Sequence, residues 1–464
     1  MVIPVVTPDR MRALDASSPD SEEVLIARAG EAVARAAIAV LGGTYGRTVN
    51  VICGPGNNGD DGRVAARRLS GRGVRVRMFE ALACPGELPP SDLVVDAAFG
   101  TGFRGVWRPP GVKGAPVLAV DVPSGLDALT GAAPEHVWSA VATVTFAALK
   151  PGLVIGRGPE LAGAISVANI GIDVGGVNGV DRPSDAIAVL ELQDVARWVP
   201  RRSRTSHKWS HAVRIIAGSD GMSGAATLAA SAAQRAGAGM VMLSSPGIAA
   251  RPPVEVVERH VPAVGWADEV LRDLDRFHAL VVGPGLGRAD HTLTSVRRIV
   301  LESTLAVVID GDALMAMSWN EHGTAAVLRQ RKGPAVLTPH DGEYSLLMGV
   351  NPTADRIGSA HRLAELTSAV VLLKGPTTIV AAPTGQTYLV TNGDERLATA
   401  GTGDVLSGVI AALLAAGVPP FEAAAAGAWI HGAAGSRSPR VGAVASDLVA
   451  ALPAVLQELS AVSR

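Results

Sequence analysis

The sequence contains only two cysteines, Cys53 and Cys84, among 464 residues. Two cysteines exclude a disulfide framework and a four-cysteine zinc site, and they predict a reducing, cytoplasmic location. Aromatic residues make up 3% of the chain, and the net charge is −2, from 41 basic and 43 acidic residues. This composition argues against a base-stacking surface and against binding to nucleic acid or to an anionic membrane.

Targeting signals and long hydrophobic runs are also scarce. The first residues lack the basic region and the apolar stretch of a secretory signal. The uncharged run 405–421 is shorter than a membrane span and is interrupted by glycines and prolines. We predict that this run is a buried helix and that the protein does not enter a membrane. Hydrophobic residues nevertheless make up 48% of the chain, which is enough for sizeable cores.

Short β-branched runs alternate with alanine-rich helical stretches along the whole chain. Strands are predicted at 48–53, 74–79, 93–96, 117–121, 142–146 and 164–169, and again at 213–217, 240–244, 279–283, 306–310, 335–338 and 370–374. Apolar strands separated by helices indicate parallel sheets with covered faces. The arginine-rich stretch 197–206 has the composition of a linker. The sequence therefore predicts two α/β domains, residues 1–200 and 201–464.

A glycine-rich turn, residues 54–62, follows the first of these strands. Gly54, Gly56 and Gly59 fit the G-x-G-x-x-G pattern, and Glu80 has the spacing of its acidic residue. This pattern predicts backbone amides close to a phosphate at the start of a helix. An NAD-dependent dehydrogenase is one interpretation and a simple Gly/Asn turn is another, because the turn is more polar than the dinucleotide pattern requires.

Two further polar turns, 96–105 and 121–131, follow later strands. Because parallel strands end at one edge of a sheet, we expect Asn58, Asp96, Asp121 and Ser124 to lie close together. Oxygen ligands with few charges suit a hard monovalent cation, and the glycines leave room for phosphates.

These segments resemble the NAD(P)H-hydrate epimerase family over residues 10–172. Its Gly-Asn-Asn-Gly-Gly-Asp-Gly motif appears at 56–62 with Asp60 in place of a glycine, and the turns at 96–100, 121–125 and 150–152 also match. The resemblance implies a Rossmann-like three-layer domain that interconverts the R and S forms of hydrated NADH or NADPH at C6. It implies potassium on Asn58, Asp96 and Ser124, and acid–base catalysis by Asp121.

The resemblance also implies a set of residues that contact the hydrated dinucleotide. They are Asn57, Asn58, Gly59, Asp60, Asp61, Gly100, Thr101, Gly102, Phe103, Arg104, Gly105, Val106 and Asp121. Since Asp60 adds a carboxylate beside a phosphate-binding turn, a weakened epimerase, or a nucleotide-binding module without catalysis, is the alternative for this half.

In the second half, Gly401, Thr402 and Gly403 precede an apolar helix and predict an anion hole of backbone amides. Asp404 follows directly and is placed to accept a proton from a substrate hydroxyl. The alternative is an ordinary acidic residue at a helix N-terminus. Polar turns at 283–287, 310–312, 338–343 and 374–378 also follow predicted strands or begin helices, whereas a Walker A motif is absent from the sequence.

This second set resembles the ribokinase-like superfamily, and specifically ADP-dependent NAD(P)H-hydrate dehydratases, over residues 204–460. The resemblance implies that ADP, with magnesium on its phosphates, phosphorylates the C6 hydroxyl of the S form, after which phosphate leaves. Ala225, Gly287, His340 and Asp404 would contact the hydrated dinucleotide. Lys374, Gly375, Pro376, Thr377, Thr378 and Gly403 would hold ADP.

The resemblance leaves several points open. A small-molecule kinase is the main alternative, because ribokinase-like folds also phosphorylate sugars and vitamin precursors. His340 has the alternative of capping its own turn, and His431 is expected to be a packed or capping residue. A homo-oligomer is expected, although no residue pattern fixes its size.

Overall fold

The computed structural model describes residues 2–175, 185–250, 252–318 and 327–462. The chain forms two compact units, Ile3–Arg182 and Pro183–Arg464. Each unit is built on a mostly parallel sheet with helices between its strands, so the predicted α/β class is confirmed.

The first unit contains a parallel sheet with the strand order β3-β2-β4-β5-β6-β7. Its elements are β1 (Ile3–Val5), α1 (Pro8–Ala16), α2 (Glu22–Leu41), β2 (Thr48–Cys53), α3 (Asn57–Gly71), β3 (Arg75–Glu80), β4 (Leu93–Ala97), β5 (Val117–Val120), β6 (Ala142–Phe146), α4 (Pro151–Val154), α5 (Gly158–Leu161) and β7 (Ala164–Ala168). All six strands predicted for this half are present, with ends shifted by at most a residue or two.

Alternate residues of the central strands point to opposite faces of this sheet, as the period of a β-strand requires. Val51 and Leu118 share one core with Val33 of α2. Ile52 shares the other core with Trp107. The second face is covered mainly by the segments that connect the strands, including the 3₁₀ turn Ala81–Ala83, and both faces are therefore buried.

The second unit contains a sheet with the strand order β8-β17-β16-β15-β14-β13-β12-β9-β10-β11. Its elements are β8 (Ile187–Val189), α6 (Leu192–Trp198), β9 (Ala212–Ile216), α7 (Ser223–Arg235), β10 (Met240–Ser244), β11 (Val257–Glu258), α8 (Ala267–Arg272), β12 (Ala279–Val282), α9 (Asp290–Glu302), β13 (Ala306–Ile309), α10 (Asp312–Ser318), β14 (Ala335–Leu337), α11 (Asp341–Met348), α12 (Arg356–Thr367), β15 (Val370–Leu373), β16 (Thr378–Ala381), β17 (Thr387–Val390), α13 (Thr402–Ala415), α14 (Pro420–Arg437) and α15 (Ala445–Val462). Within the strand order from β8 to β11, the pairs β15–β16 and β16–β17 are antiparallel and the other pairs are parallel.

The boundary between the units lies earlier in the chain than the predicted position after residue 200. Strand β8 pairs in parallel with β17, and α6 packs against α14 and α15, so both belong to the second unit. The arginines of the proposed linker are also engaged there, since Arg201 donates to the carbonyl of Ser460 and Arg202 to that of Gly237. The high density of arginines predicts a solvated linker, but in the structure two of these guanidinium groups bind backbone carbonyls of the second unit.

Residues 405–415 of the run 405–421 form a buried helix, as predicted, and a turn at 416–419 leads into the next helix. Helix α13 is buried from Val405 to Ala415, and Pro420 starts the next helix. In the part of the chain that the structure describes, only α15 is long and apolar enough to cross a membrane by length and composition. Its Leu448, Leu452 and Val455 are buried, and the helix packs against α14 and α7.

The close approach of α13 to α7 gives a test of this packing. A Cβ at Gly408 would lie 2.2 Å from the carbonyl oxygen of Ala229 and 2.9 Å from Cβ of Ala232. We expect Gly408→Ala to lower the free energy of unfolding by about 1–3 kcal/mol, because backbone must move to admit the methyl group. The measurement is urea denaturation of the full chain.

Gly224→Ala is the matched control, because Gly224 is the second residue of α7 and a Cβ added there would have no neighbouring atom within 4 Å. Its stability should stay equal or rise by up to about 1 kcal/mol, since alanine is the better helix former. Equal stability of the two variants would show that the α7–α13 contact is looser than described.

Candidate functional sites

A cavity of about 840 Å³ opens at the edge of the first sheet where the parallel strands end. Most of the predicted dinucleotide-binding residues line it, namely Asn57, Asn58, Asp61, Gly100, Thr101, Gly102, Phe103, Arg104 and Asp121. Gly59, Asp60, Gly105 and Val106 are not among its lining residues. Gly59 has a packing role, because a Cβ there would lie 2.0 Å from the carbonyl oxygen of Gly54.

Asp121 is bound to a buried lysine at the inner end of this cavity. The Nζ atom of Lys150 lies 2.8 Å from Oδ1 of Asp121, and only 2% of the lysine side chain is exposed. The hydroxyl of Thr145 also donates to Oδ1, at 3.0 Å. Asp121 has a φ of 65°, a left-handed conformation that aspartate tolerates better than most residues.

The three residues predicted to hold potassium have different environments. Ser124 donates to Asp96 through its hydroxyl at 2.6 Å and through its backbone amide at 2.9 Å. Burial raises the pKa of Asp96 to about 6, although the hydrogen bonds from Ser124 oppose that rise. The side-chain amide of Asn58 is buried, and neither its oxygen nor its nitrogen has a hydrogen-bond partner within the described residues. The orphaned amide oxygen of Asn58 and the oxygens of Asp96 and Ser124 are of the kind that a hard monovalent cation takes as ligands.

Further carboxylates make this cavity acidic. Asp61 is 6% exposed, and burial, together with Asp121, Asp60 and Asp15, raises its pKa to about 8. Burial likewise raises the pKa of Asp15 on α1, with Lys150 opposing the rise. A carboxyl group that keeps its proton near neutral pH can donate a hydrogen bond to a ligand.

Asp60, the departure from the epimerase motif, is not among the residues that line the cavity. Its carboxylate lies 3.1 Å from Arg63, which in turn lies 2.7 Å from Glu80. Arg63 therefore balances the charge that was expected to repel phosphate. Glu80 is also absent from the cavity lining, and the acidic residue needed for the dehydrogenase interpretation is engaged elsewhere.

In the second unit, the anion-hole residues form the start of α13. Gly401 caps the helix with a φ of 90°, Thr402 is its first residue, and Asp404 lies in the first turn. Burial raises the pKa of Asp404 to about 7, with Asp310 adding to the rise and Lys374 opposing it. A group with such a pKa can accept a proton at neutral pH.

Three neighbouring parallel strands end beside this helix and bring Asp310, Thr338 and Lys374 together. Oδ1 of Asp310 lies 2.8 Å from Nζ of Lys374 and accepts from Thr338 at 2.7 Å, and Oδ2 accepts from Ser407 of α13 at 2.7 Å. Burial alone would raise the pKa of Asp310, but Lys374 and these hydroxyls outweigh it and lower the pKa. A Cβ at Gly403 would lie 3.3 Å from Nζ of Lys374, so the predicted nucleotide lysine adjoins the anion hole.

The remaining predicted residues of this half lie on the turns around that network. His340 caps α11, because its Nδ1 accepts from the amides of Gly342 and Glu343, and 60% of its side chain is exposed. This is the capping role given above as the alternative, and Nε2 of the same ring lies 3.6 Å from a carboxylate oxygen of Glu343. Gly287 donates its amide to Asp312 at 2.9 Å.

The turn that is predicted to hold ADP, residues 374–378, and the predicted dinucleotide contact Ala225 each have close neighbours in the structure. Gly375, Pro376 and Thr377 connect β15 to β16, whose first residue is Thr378. Arg356 donates to the carbonyl of Lys374 and holds Asp341 through both of its terminal nitrogens. Ala225, in the first turn of α7, lies against Gly285.

The sequence interpretation gave no role to several residues that the structure brings into these sites. Lys150 was noted only as part of a matching Lys-Pro-Gly turn, and Asp15 had no signal beyond its place on an N-terminal helix. Asp310 and Glu343 were seen as turn residues rather than as the acidic partners of Lys374. His431 is buried as expected, and burial lowers its pKa to about 4.

Comparison with known proteins matches each half to a separate family model. The family model described as NAD(P)H-hydrate dehydratase matches residues 213–454, and the YjeF-related protein N-terminus family model matches residues 22–87 and 80–152. A crystal structure of an ADP/ATP-dependent NAD(P)H-hydrate dehydratase from Bacillus subtilis, co-crystallised with ATP and Mg²⁺, matches with a TM-score of 0.51 at 29% identity. The match covers 61% of this chain and 100% of that chain.

A ribokinase-like superfamily protein from Enterococcus faecalis also matches, with a TM-score of 0.52 at 20% identity, over 61% of this chain and 99% of that chain. The ribokinase-like fold predicted for the second half is confirmed.

Full-length relatives combine both halves. A bifunctional NAD(P)H-hydrate repair enzyme from Moorella thermoacetica is 36% identical, over 89% of this chain and 88% of the relative. One from Escherichia coli is 33% identical, over 93% of this chain and 89% of the relative. The chain belongs to the family of bifunctional NAD(P)H-hydrate repair enzymes.

Proposed function

We propose that this chain repairs hydrated NADH and NADPH in two steps. The first unit interconverts the R and S forms at C6, and the second uses ADP to dehydrate the S form to NADH or NADPH, releasing AMP and phosphate. The observation that carries the proposal is that Asp121 follows a strand end of the first sheet and Asp404 lies in the first turn of α13 in the second unit, in a chain that matches both family models.

In the first unit, Asp121 is the group that moves a proton. Epimerisation at C6 requires a bond at that carbon to break and re-form, by ring opening or by reversible dehydration, and each route needs acid–base help. Asp121 lines the cavity, and its acidic neighbour Asp61 donates a hydrogen bond or binds a hydroxyl of the substrate. Asn58, Asp96 and Ser124 would hold potassium, whose charge favours the binding of the dinucleotide phosphates.

In the second unit, Asp404 takes the proton of the C6 hydroxyl as that oxygen attacks the β-phosphorus of ADP. The bond from this phosphorus to the oxygen bridging the two phosphates breaks, and AMP leaves. Backbone amides at Gly401–Gly403 and the ammonium of Lys374 face the transferring group and stabilise its charge. Phosphate then leaves C6 while the neighbouring carbon loses a proton, which restores the double bond. Magnesium supplies positive charge on the nucleotide phosphates when bound.

The broader expectations of a cytoplasmic location, a homo-oligomer, and a lack of nucleic-acid or membrane partners stay predictions.

The proposed role of Asp404 as a general base gives the main test. Asp404→Asn keeps the size of the side chain but removes the base, so ADP-dependent recovery of dihydronicotinamide absorbance from the S form should fall by about 100-fold or more. In the wild type, kcat/KM should fall as the pH drops below about 7, because Asp404 becomes protonated.

The same variant should exchange the R and S forms at the wild-type rate, which controls for folding. Asparagine also suits the first turn of a helix. Near-normal repair by Asp404→Asn would contradict the mechanism. A stable phosphorylated product in the wild-type reaction would favour the small-molecule kinase instead.

Potassium dependence tests the cation proposal. Replacing potassium with tetramethylammonium at constant ionic strength should weaken binding of the hydrated dinucleotide to the first unit, because Asn58 cannot coordinate a bulky cation at short range. Binding is measured by calorimetry on Asp404→Asn, and Asn58→Ala should abolish the difference between the two salts. Equal affinity in both salts would remove the metal from the site.

Restoring the glycine of the epimerase motif at position 60 tests the role of Asp60. Asp60→Gly should leave the rate of R/S exchange equal or slightly faster, because Arg63 keeps its contacts with Glu80 and the carbonyl of Gly54. Asp60→Asn is the control that removes the charge while keeping the side-chain size. A large loss of exchange in both variants, with repair of the S form intact, would show that the carboxylate contributes to epimerisation.

A further inference from the structure

The two carboxylate oxygens of Asp121 have different surroundings. Oδ1 accepts from Nζ of Lys150 at 2.8 Å and from the hydroxyl of Thr145 at 3.0 Å. Oδ2 adjoins Gly100, because a Cβ built at Gly100 would lie 3.3 Å from Oδ2 and also 3.3 Å from Oδ1 of Asn58. Gly100 and Asn58 line the cavity. Oδ2 is therefore directed toward the ligand space, while Oδ1 is held by protein.

Lys150 is held in place by the turn that precedes it. Its Nζ donates to Thr145 Oγ1 at 2.9 Å, to the carbonyl of Phe146 at 2.9 Å and to that of Ala148 at 3.3 Å. The turn doubles back because Ala147 adopts a φ of 61°. An ammonium group with four oxygen neighbours and almost no exposure has little freedom to move.

The charges around this pair explain why a buried lysine is needed. Asp61 on α3 and Asp15 on α1 line the same cavity, so Asp121 lies among carboxyl groups. A buried carboxylate without a cation is costly, and acidic neighbours add to that cost. Lys150 is the lysine that lines this cavity, whereas Arg12 and Arg104 lie elsewhere along its lining and form no ion pair with Asp121 in the contacts described.

We propose that Lys150 and Thr145 are positioning residues of the epimerase, which bind Oδ1 of Asp121 so that Oδ2 exchanges the proton with the substrate. This inference rests on the proposed epimerase function of the first unit. Both residues act through Asp121, since the protein contacts above occupy the Lys150 ammonium. Their loss should therefore lower kcat for R/S exchange while leaving KM nearly unchanged.

The test compares two matched pairs in the full chain. Thr145→Val removes the hydroxyl but keeps the branched shape, whereas Thr145→Ser keeps the hydroxyl. We expect kcat for exchange to fall on the order of 10-fold in Thr145→Val and to stay within about 3-fold in Thr145→Ser, with KM changed little in both. Lys150→Met, which keeps the length of the stem, should lower kcat by about 100-fold.

A chemical rescue separates the charge of Lys150 from its contribution to packing. In Lys150→Ala, added butylammonium should restore part of kcat, whereas 1-butanol at the same concentration should not, because only the former carries the charge and the donors. ADP-dependent repair of the S form, carried out by the second unit, reports in each variant that the second unit is intact.

The outcomes distinguish this inference from the function on which it rests. Wild-type protein that does not interconvert the R and S forms overturns the epimerase function and the inference with it. Wild-type exchange together with normal kcat in Lys150→Met and Thr145→Val overturns the inference alone. Equal loss in Thr145→Val and Thr145→Ser, or equal rescue by amine and alcohol, also overturns it, because packing would then explain the effect.

Discussion

The parallel direction of neighbouring strands is the constraint on which both sites depend. Parallel strands must all end at the same edge, so the turns that follow them are brought together whatever their separation in the sequence. In the first unit this edge gathers turns from β2, β4, β5 and β6, and in the second it gathers those from β13, β14 and β15. Both units thus form their site at the same edge of a parallel sheet, with different side chains in each.

Both sites contain a lysine paired with an aspartate, but the pairs serve different purposes. Lys150 binds the aspartate that we assign to proton transfer. Lys374 binds Asp310, while the assigned base, Asp404, keeps a pKa raised to about 7 by burial and by nearby carboxylates. The ion pair with Lys150 fixes the orientation of Asp121, whereas burial leaves Asp404 able to accept a proton near neutral pH.

The strands of both sheets that the sequence predicted are present, because apolar β-branched runs between helices have few other ways to bury themselves. The sequence did not predict strands β1, β8, β11, β16 and β17, which are short and are defined by pairing with other strands. The domain boundary lies earlier than predicted for a different reason. Arginines that bind backbone carbonyls give a segment the same composition as a solvated linker.

Within the sites, residue type and strand order could predict which side chains meet, as with Asp96 and Ser124. Side-chain direction could not be predicted. Asp60 turns to Arg63, and Lys150 reaches back to Asp121, through rotamers and turn geometry that depend on the folded surroundings.

The left-handed backbone at Asp121 restricts the amino acids that this position can accept. Most side chains are strained at a φ of 65°, whereas glycine, asparagine and aspartate tolerate it. Glutamate, which would keep the charge, would strain the turn and carry its carboxylate one carbon further from Lys150. Relatives that adapt this site to other substrates are therefore expected to vary the cavity wall around position 121 and to conserve aspartate there. A relative that has lost the epimerase activity should have asparagine or glycine at this position, because the backbone conformation still restricts the residue type.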